Sequence, residues 1–263
     1  MLKERLISAA IMIAVILSAI LVGGRVLNLT ILVGVFVCLC EAFAFSFQKN
    51  RNTTLILAVA GILPAIGWLS CGLATACVAG IAGLIVVFGM TLWEIERGEP
   101  ADNLDAAVPM LSSIYVWVAG FGTCLLVAIS QIQGSSTIIW FITVVALSDT
   151  GAYFAGRSFG KNKLAPTISP GKTIEGSIGG LLLAIVGGLS LAECAGLQMN
   201  YGAIALLCGA ISLMTQLGDL VQSMFKRAYD VKDSGNWIPG HGGLLDRVDG
   251  LLIASPLMLF LLG

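Results

Sequence analysis

No charged residue occurs between Asn52 and Trp93, and none between Ala106 and Ser148. Each run is long enough for two membrane-crossing helices, because one crossing takes about 20 mostly apolar residues. Backbone N–H and C=O groups in hydrocarbon must pair within their own segment, and the runs lack the period-two alternation of a β-barrel. Helices are therefore expected. Composition agrees: of 263 residues, 57% are hydrophobic and 11% charged. A typical soluble domain carries about 25% charged residues, so this chain cannot cover itself with polar surface in water. A soluble enzyme and a disordered regulator are excluded. A net charge of −1 supplies no basic field for nucleic acid, and no nucleic-acid partner is expected.

The charges mark the remaining gaps. Spans are expected at 6–24 and 26–47, and two more within 52–93, where Pro64, Gly67, Ser70 and Gly72 signal a turn near 70. Two lie within 106–148, with a turn at Gln131–Ser136, and the last three at 174–193, 201–225 and 244–262. The expected fold is an all-α polytopic membrane protein of about nine transmembrane helices. The pattern is weakest at 174–193, which is rich in glycine, and at 244–262, which opens inside a charged motif. The first apolar run exceeds the core of a signal peptide and reads as a retained span. With this count, every one of the 14 basic residues except Arg25 falls on the side of the N-terminus. The excess of Lys and Arg puts that side in the cytoplasm. Seven cysteines, odd in number and without a CxxC pair, read as small apolar fillers.

Residues 1–135 would then hold the first five spans. Residues 136–263 would form a catalytic region of the last four, with cytoplasmic loops at 156–173 and 226–245. Ionisable groups inside spans are costly and point to function. Glu41, Asp149 and Asp219 fall near the cytoplasmic ends of their spans, and Asp246–Arg247–Val248–Asp249 opens the last one at the same level. Asp246 and Asp249 share a helix face. Such carboxylates suit Mg²⁺, which takes a few oxygen ligands plus water and substrate phosphate. Their alternative use is ion pairing with Lys226, Arg227 or Arg247, and Glu41 has the further alternative of a hydrogen bond between helices.

Asp219, Ser223 and Lys226 form a polar stripe along an apolar helix, ending in the phosphate-binding chemistry of Lys226–Arg227 or in a plain membrane-edge anchor. The segment Ser169–Thr173 (SPGKT) is not a P-loop, since Pro166 replaces the first glycine and no strand is expected before it. Gly171, Lys172 and the helix start that follows still favour an anion over a simple capped turn. His241, between glycines, serves either acid–base chemistry or loop order.

Two stretches resemble a known family. Ser223–Asp249 (SMFKRAYDVKDSGNWIPGHGGLLDRVD) is similar to the signature of the phosphatidate cytidylyltransferases, or CDP-diacylglycerol synthases, and Ser148–Gly180 also looks like that family. The resemblance covers about residues 140–263. It implies attack by the phosphate of phosphatidic acid on the α-phosphorus of CTP, giving CDP-diacylglycerol and pyrophosphate. It implies Mg²⁺, and allows K⁺ as a second ion. By motif position, Asp219 and Asp246 would be catalytic metal ligands with Asp249 nearby. Lys226, Arg227 and Arg247 would neutralise phosphates, and Ser169 and Lys172 would contact the nucleotide. Asp149 and His241 join the substrate-binding set. The expected setting is a homodimer in the cell membrane, with its site facing the cytoplasm.

Other readings are weaker. A cation transporter would need polar groups in the outer half and an inverted repeat, neither of which is evident. A CDP-alcohol phosphotransferase needs D-G-x-x-A-R, which Asp249–Ile253 breaks. A polyprenol kinase would consume ATP, and a plain membrane scaffold has no use for the acids and the glycine–histidine loop.

Overall fold

The computed structural model describes residues 2–46, 51–97, 103–235, 238 and 242–261. Helices α1 (Leu2–Val22), α2 (Gly24–Ser46), α3 (Arg51–Cys71), α4 (Leu73–Arg97), α5 (Asn103–Ile132) and α6 (Ser135–Phe159) follow one another. A hairpin of β1 (Lys163–Ala165) and β2 (Ser169–Thr173) precedes α7 (Ile174–Leu191), α8 (Tyr201–Ala228) and α9 (Leu245–Ala254). The chain then tightens into a 3₁₀ helix over Ser255–Leu261. Pro256, without an N–H and with a ring that crowds the preceding turn, stops α9 there.

Among the described residues four helices are long and apolar enough to cross a membrane: Gly24–Ala44, Ser135–Phe159, Ile174–Leu191 and Tyr201–Ala228. Shorter apolar helices cover Ala10–Val22, Leu55–Ser70, Ala74–Met90 and Val118–Ile132. The chain is a helical, multi-pass membrane protein. The expected turns occur where glycine takes positive φ: Gly72 (+83°) between α3 and α4, and Gly134 (+87°) between α5 and α6. Pro64 is not at the turn but inside α3. The 156–173 loop also differs from expectation. Helix α6 runs through to Phe159, and the antiparallel hairpin pairs Lys163 with Thr173 and Ala165 with Ser169.

The fold comprises two compact units, 1–128 with 225–248, and 129–224 with 249–263. In the first, α3 and α4 pack closely, and Ala65, Ala76 and Cys124 form a small-residue core under Leu32 and Trp68. Cys38 and Cys124 are buried in this unit.

In the second unit, α6 and α7 share the densest packing. Helix α7 buries Gly176, Gly180, Ala184 and Gly188, one residue per turn. Its opposite face exposes Ile178, Leu182 and Val186. This is the small-residue stripe that lets helix backbones approach without a hydrophobic drive between them. A side chain at Gly180 would put its Cβ 2.5 Å from the Ser148 carbonyl, and one at Gly151 would stand 2.6 Å from the Gly179 carbonyl. Trp140 Nε1 donates to the Gly188 carbonyl at 2.8 Å across the same contact. Helices α8 and α9 also meet through small residues. A Cβ at Gly250 would be 2.6 Å from Thr215 Cγ2, and one at Gly218 would be 2.9 Å from Ile253 Cβ.

Gly180→Val should force α6 and α7 apart at a cost of about 1–3 kcal/mol. The expected readout is a lower melting temperature in detergent, with lipid-facing Ile178→Val melting as wild type.

Candidate functional site

The second unit holds a cavity of about 430 Å³ lined by α6, the hairpin, α7 and α8. Helix α6 contributes Asp149, Tyr153 and Arg157, four residues apart and so on one face. The hairpin and α7 contribute Lys172, Thr173, Gly176 and Ser177, and α8 contributes Gln216 and Asp219. Close packing of α6 on α7 sets these groups opposite one another.

Polar contacts fix the walls. Thr173 caps α7, its Oγ1 accepting from the Gly176 N–H at 3.1 Å. Glu175 in the first turn accepts from the Lys161 N–H at 3.1 Å and from Asn162 Nδ2 at 2.8 Å, while the Ile174 N–H donates to the Asn162 carbonyl at 2.9 Å. The hairpin is thus tied at its base to the helix it precedes. Gln216 is held from both sides: Ser177 Oγ donates to Oε1, and Nε2 donates to the Ser177 carbonyl and to Ser212 Oγ, each at 3.2 Å.

Inside the cavity Lys172 Nζ lies 2.7 Å from Asp219 Oδ2 and 3.4 Å from the Gln216 carbonyl. The Asp219 side chain remains 45% exposed, so the ion pair leaves it open to other partners. Arg157 Nη1 donates to the Tyr153 hydroxyl at 2.8 Å. Two cations and two carboxylates therefore line one cavity. Among the described residues no group of three or more His, Cys, Asp or Glu side chains gathers as a ready-made metal cage. Asp149 and Asp219 still fit a hard cation that keeps its water and binds through one or two carboxylates plus substrate phosphate.

The first unit holds a separate constellation. Lys226 Nζ, at the end of α8, donates to Asp246 Oδ1 at 2.8 Å. Asp246 Oδ2 accepts from the Ser234 N–H at 2.8 Å and the Gly243 N–H at 3.2 Å. Only 10% of the Asp246 side chain is exposed, against 45% for Asp219. Beside it Glu41 of α2 accepts from the Leu244 N–H at 3.0 Å, the Leu245 N–H at 2.8 Å and Ser234 Oγ at 3.3 Å.

Residues 3–263 match the family described as the Cytidylyltransferase family. The chain belongs to that family. It is 35% identical to a phosphatidate cytidylyltransferase of Staphylococcus epidermidis, over 99% of this chain and 98% of the relative. Phosphatidate cytidylyltransferases of Staphylococcus haemolyticus and Staphylococcus aureus are each 34% identical over the same shares. The kinship thus extends through the N-terminal helices, well beyond the two stretches whose motifs resemble the family.

The structure brings Asp149, Lys172 and Asp219 together in one unit, and Lys226 with Asp246 in the other. In the second unit the Asp249 carbonyl would be 3.3 Å from a Cβ at Gly218, next to Asp219 in sequence, and Asp249 Oδ1 accepts from the Gly250 N–H at 2.7 Å. Arg227 and Arg247 are exposed, in the last turn of α8 and the first of α9. Ser169 sits opposite Ala165 in the hairpin and is not among the described residues lining the cavity. His241 lies outside the described residues. The capped turn at Ser169–Thr173 is present, Thr173 capping α7, and Lys172 lines the cavity. Sequence reasoning did not single out Tyr153, Arg157 or Ser177. Their signal was polar side chains at i, i+4 spacing, Asp149–Tyr153–Arg157 on α6 and Thr173–Ser177 at the start of α7.

Thr173→Ala removes the cap and should cost about 1 kcal/mol. A lower melting temperature, restored by Thr173→Ser, is the expected result.

Proposed function

We infer that this chain works as its curated relatives are named: it is an enzyme that transfers CMP from CTP to phosphatidate, giving CDP-diacylglycerol and pyrophosphate. The observation that carries the reading is the cavity pairing Lys172 with Asp219 beside Asp149 and Arg157, in a chain matched along its whole length by phosphatidate cytidylyltransferases.

In the reaction, a phosphate oxygen of phosphatidate forms a bond to the α-phosphorus of CTP. The bond from that phosphorus to the oxygen bridging to the β-phosphate breaks, and its electron pair leaves with pyrophosphate. No covalent enzyme nucleophile is needed, so positioning and charge neutralisation supply the catalysis. Lys172 and Arg157 face the cavity and hold the polyphosphate; Lys172 exchanges its Asp219 partner for a phosphate oxygen. Lys226, Arg227 and Arg247 neutralise phosphate, and Ser169 and His241 are assigned to substrate binding on the strength of the motif.

Charge balance favours a divalent cation. Within the cavity the carboxylates of Asp149 and Asp219 offset Lys172 and Arg157, so these four side chains leave no surplus of positive charge. By motif position Asp219, Asp246 and Asp249 are each assigned to Mg²⁺, with Asp149 on the substrate side and K⁺ as a second ion; of these carboxylates Asp149 and Asp219 line the cavity. Bound Mg²⁺ supplies neutralisation of the phosphate oxygens.

The same reading sets nine spans in the cytoplasmic membrane, with the N-terminus and the site on the cytoplasmic side and two chains forming a homodimer. Residues 136–263 carry the chemistry, and 1–135 the first five spans. The basic residues gathered on one side support the orientation. CTP then arrives from water and phosphatidate from the bilayer.

Labelled CTP with phosphatidate vesicles should yield labelled lipid and pyrophosphate with Mg²⁺, and neither with the metal chelated. Asp219→Asn and Asp246→Asn should each lower turnover at least about 100-fold, the scale of losing one preorganised electrostatic group, while keeping the gel-filtration profile. Near-normal CDP-diacylglycerol formation by purified Asp246→Asn would contradict the assignment.

A further inference from the structure

Glu41 lies on α2, far in sequence from the motifs that mark the chemistry, and is only 2% exposed. A carboxylate buried in a membrane protein needs a compensating use. Here the use is specific. Oε1 accepts from the Leu244 N–H, and Oε2 accepts from the Leu245 N–H and from Ser234 Oγ. The two N–H groups belong to the opening of α9, where helix donors have no intrahelical partner and the helix dipole favours negative charge.

The next residue is Asp246. Ser234 joins the two carboxylates: its N–H donates to Asp246 Oδ2 at 2.8 Å and its hydroxyl to Glu41 Oε2 at 3.3 Å. The glycines of the motif also answer to Glu41. A Cβ at Gly235 would stand 2.8 Å from Oε1, and one at Gly243 would stand 2.7 Å from Oε2. Both positions must be bare for Ser234 and Leu244 to reach the carboxylate.

We propose that Glu41 is a positioning residue for the cytidylyl transfer: it fixes the loop through Ser234 and Gly243 and the start of α9, and thereby the Asp246–Lys226 pair. The proposal rests on the functional reading above and adds a residue from the N-terminal helices to its machinery.

The test uses the full-length protein in phosphatidate-containing nanodiscs. Glu41→Ala should lower kcat about 100-fold, the scale of a misplaced catalytic group, with KM for CTP unchanged. Glu41→Gln keeps the shape and one acceptor oxygen, and should recover part of that loss. Hydrogen–deuterium exchange should rise in peptides covering 242–250, and not in those from α6 and α7. Should Glu41→Ala fail to fold, Glu41→Gln and Ser234→Ala carry the test through the same peptides. A wild-type kcat in Glu41→Ala, unchanged protection at 242–250, or loss of protection spread evenly through the protein would each overturn the proposal. An inactive wild type would overturn the functional reading and this inference with it; an active wild type beside an indifferent Glu41→Ala would overturn this inference alone.

Discussion

Helices α6 and α7 pack backbone against backbone, and the second unit's site depends on that contact. In lipid, apolar side chains gain little by meeting each other, so helix association rests on close packing and on polar contacts between helices. The buried stripe Gly176, Gly180, Ala184 and Gly188 supplies the first. Trp140 on the Gly188 carbonyl supplies the second. At the top of the stripe the same approach brings Thr173, Gly176 and Ser177 to Asp149, Tyr153 and Arg157. A bulky residue on the stripe would widen the helix pair and the cavity together, so fold and site are set by one contact.

Among the described residues Lys172 pairs with Asp219 in one unit and Lys226 with Asp246 in the other, and their environments differ. Lys172–Asp219 opens onto a cavity, and the acid's side chain is 45% exposed. Water and salt screen such a pair, so exchanging its partners costs little. Lys226–Asp246 is nearly buried and carries two backbone hydrogen bonds besides. Breaking a buried pair on one side leaves an uncompensated charge, which is strongly unfavourable. The exposed pair is suited to yielding its lysine to an incoming anion, and the buried pair to holding geometry.

Much of this was legible in the sequence because lipid imposes a simple rule. A charge-free run must be helical, and glycine punctuates it, so the ends of α3, α4, α5 and α6 fall near Gly72 and Gly134 as expected. Pro64 misled as a turn signal, since a proline within a membrane helix can be accommodated by its neighbours. The glycines that made α7 look weak as a span are its packing face. The hairpin was hidden because its pairing depends on Glu175 and Asn162 bonding across it, a contact between residues that no short pattern encodes. The link from Glu41 to Leu244 and Leu245 was hidden for the same reason. It joins residues on α2 and α9, and a single acid in an apolar run looks the same whether it serves chemistry or anchorage.

The two substrates of the inferred reaction meet at a boundary where electrostatics is uneven. Charges in water are strongly screened, while those beside the low-dielectric bilayer are screened less. A site built only of lysines and arginines would bind phosphates tightly before the reaction as well as during it, and uniform binding does not accelerate the chemical step. Carboxylates among the cations prevent this. In the inferred reaction Asp219 yields Lys172 to a phosphate that competes for it, and Asp149 offsets positive charge in the cavity. In the inferred reaction the acids have a use beside the proposed binding of a cation. They make the cavity's attraction for phosphate conditional on the arrival of the nucleotide and its metal, and so reserve the strongest neutralisation for the charge that develops during transfer.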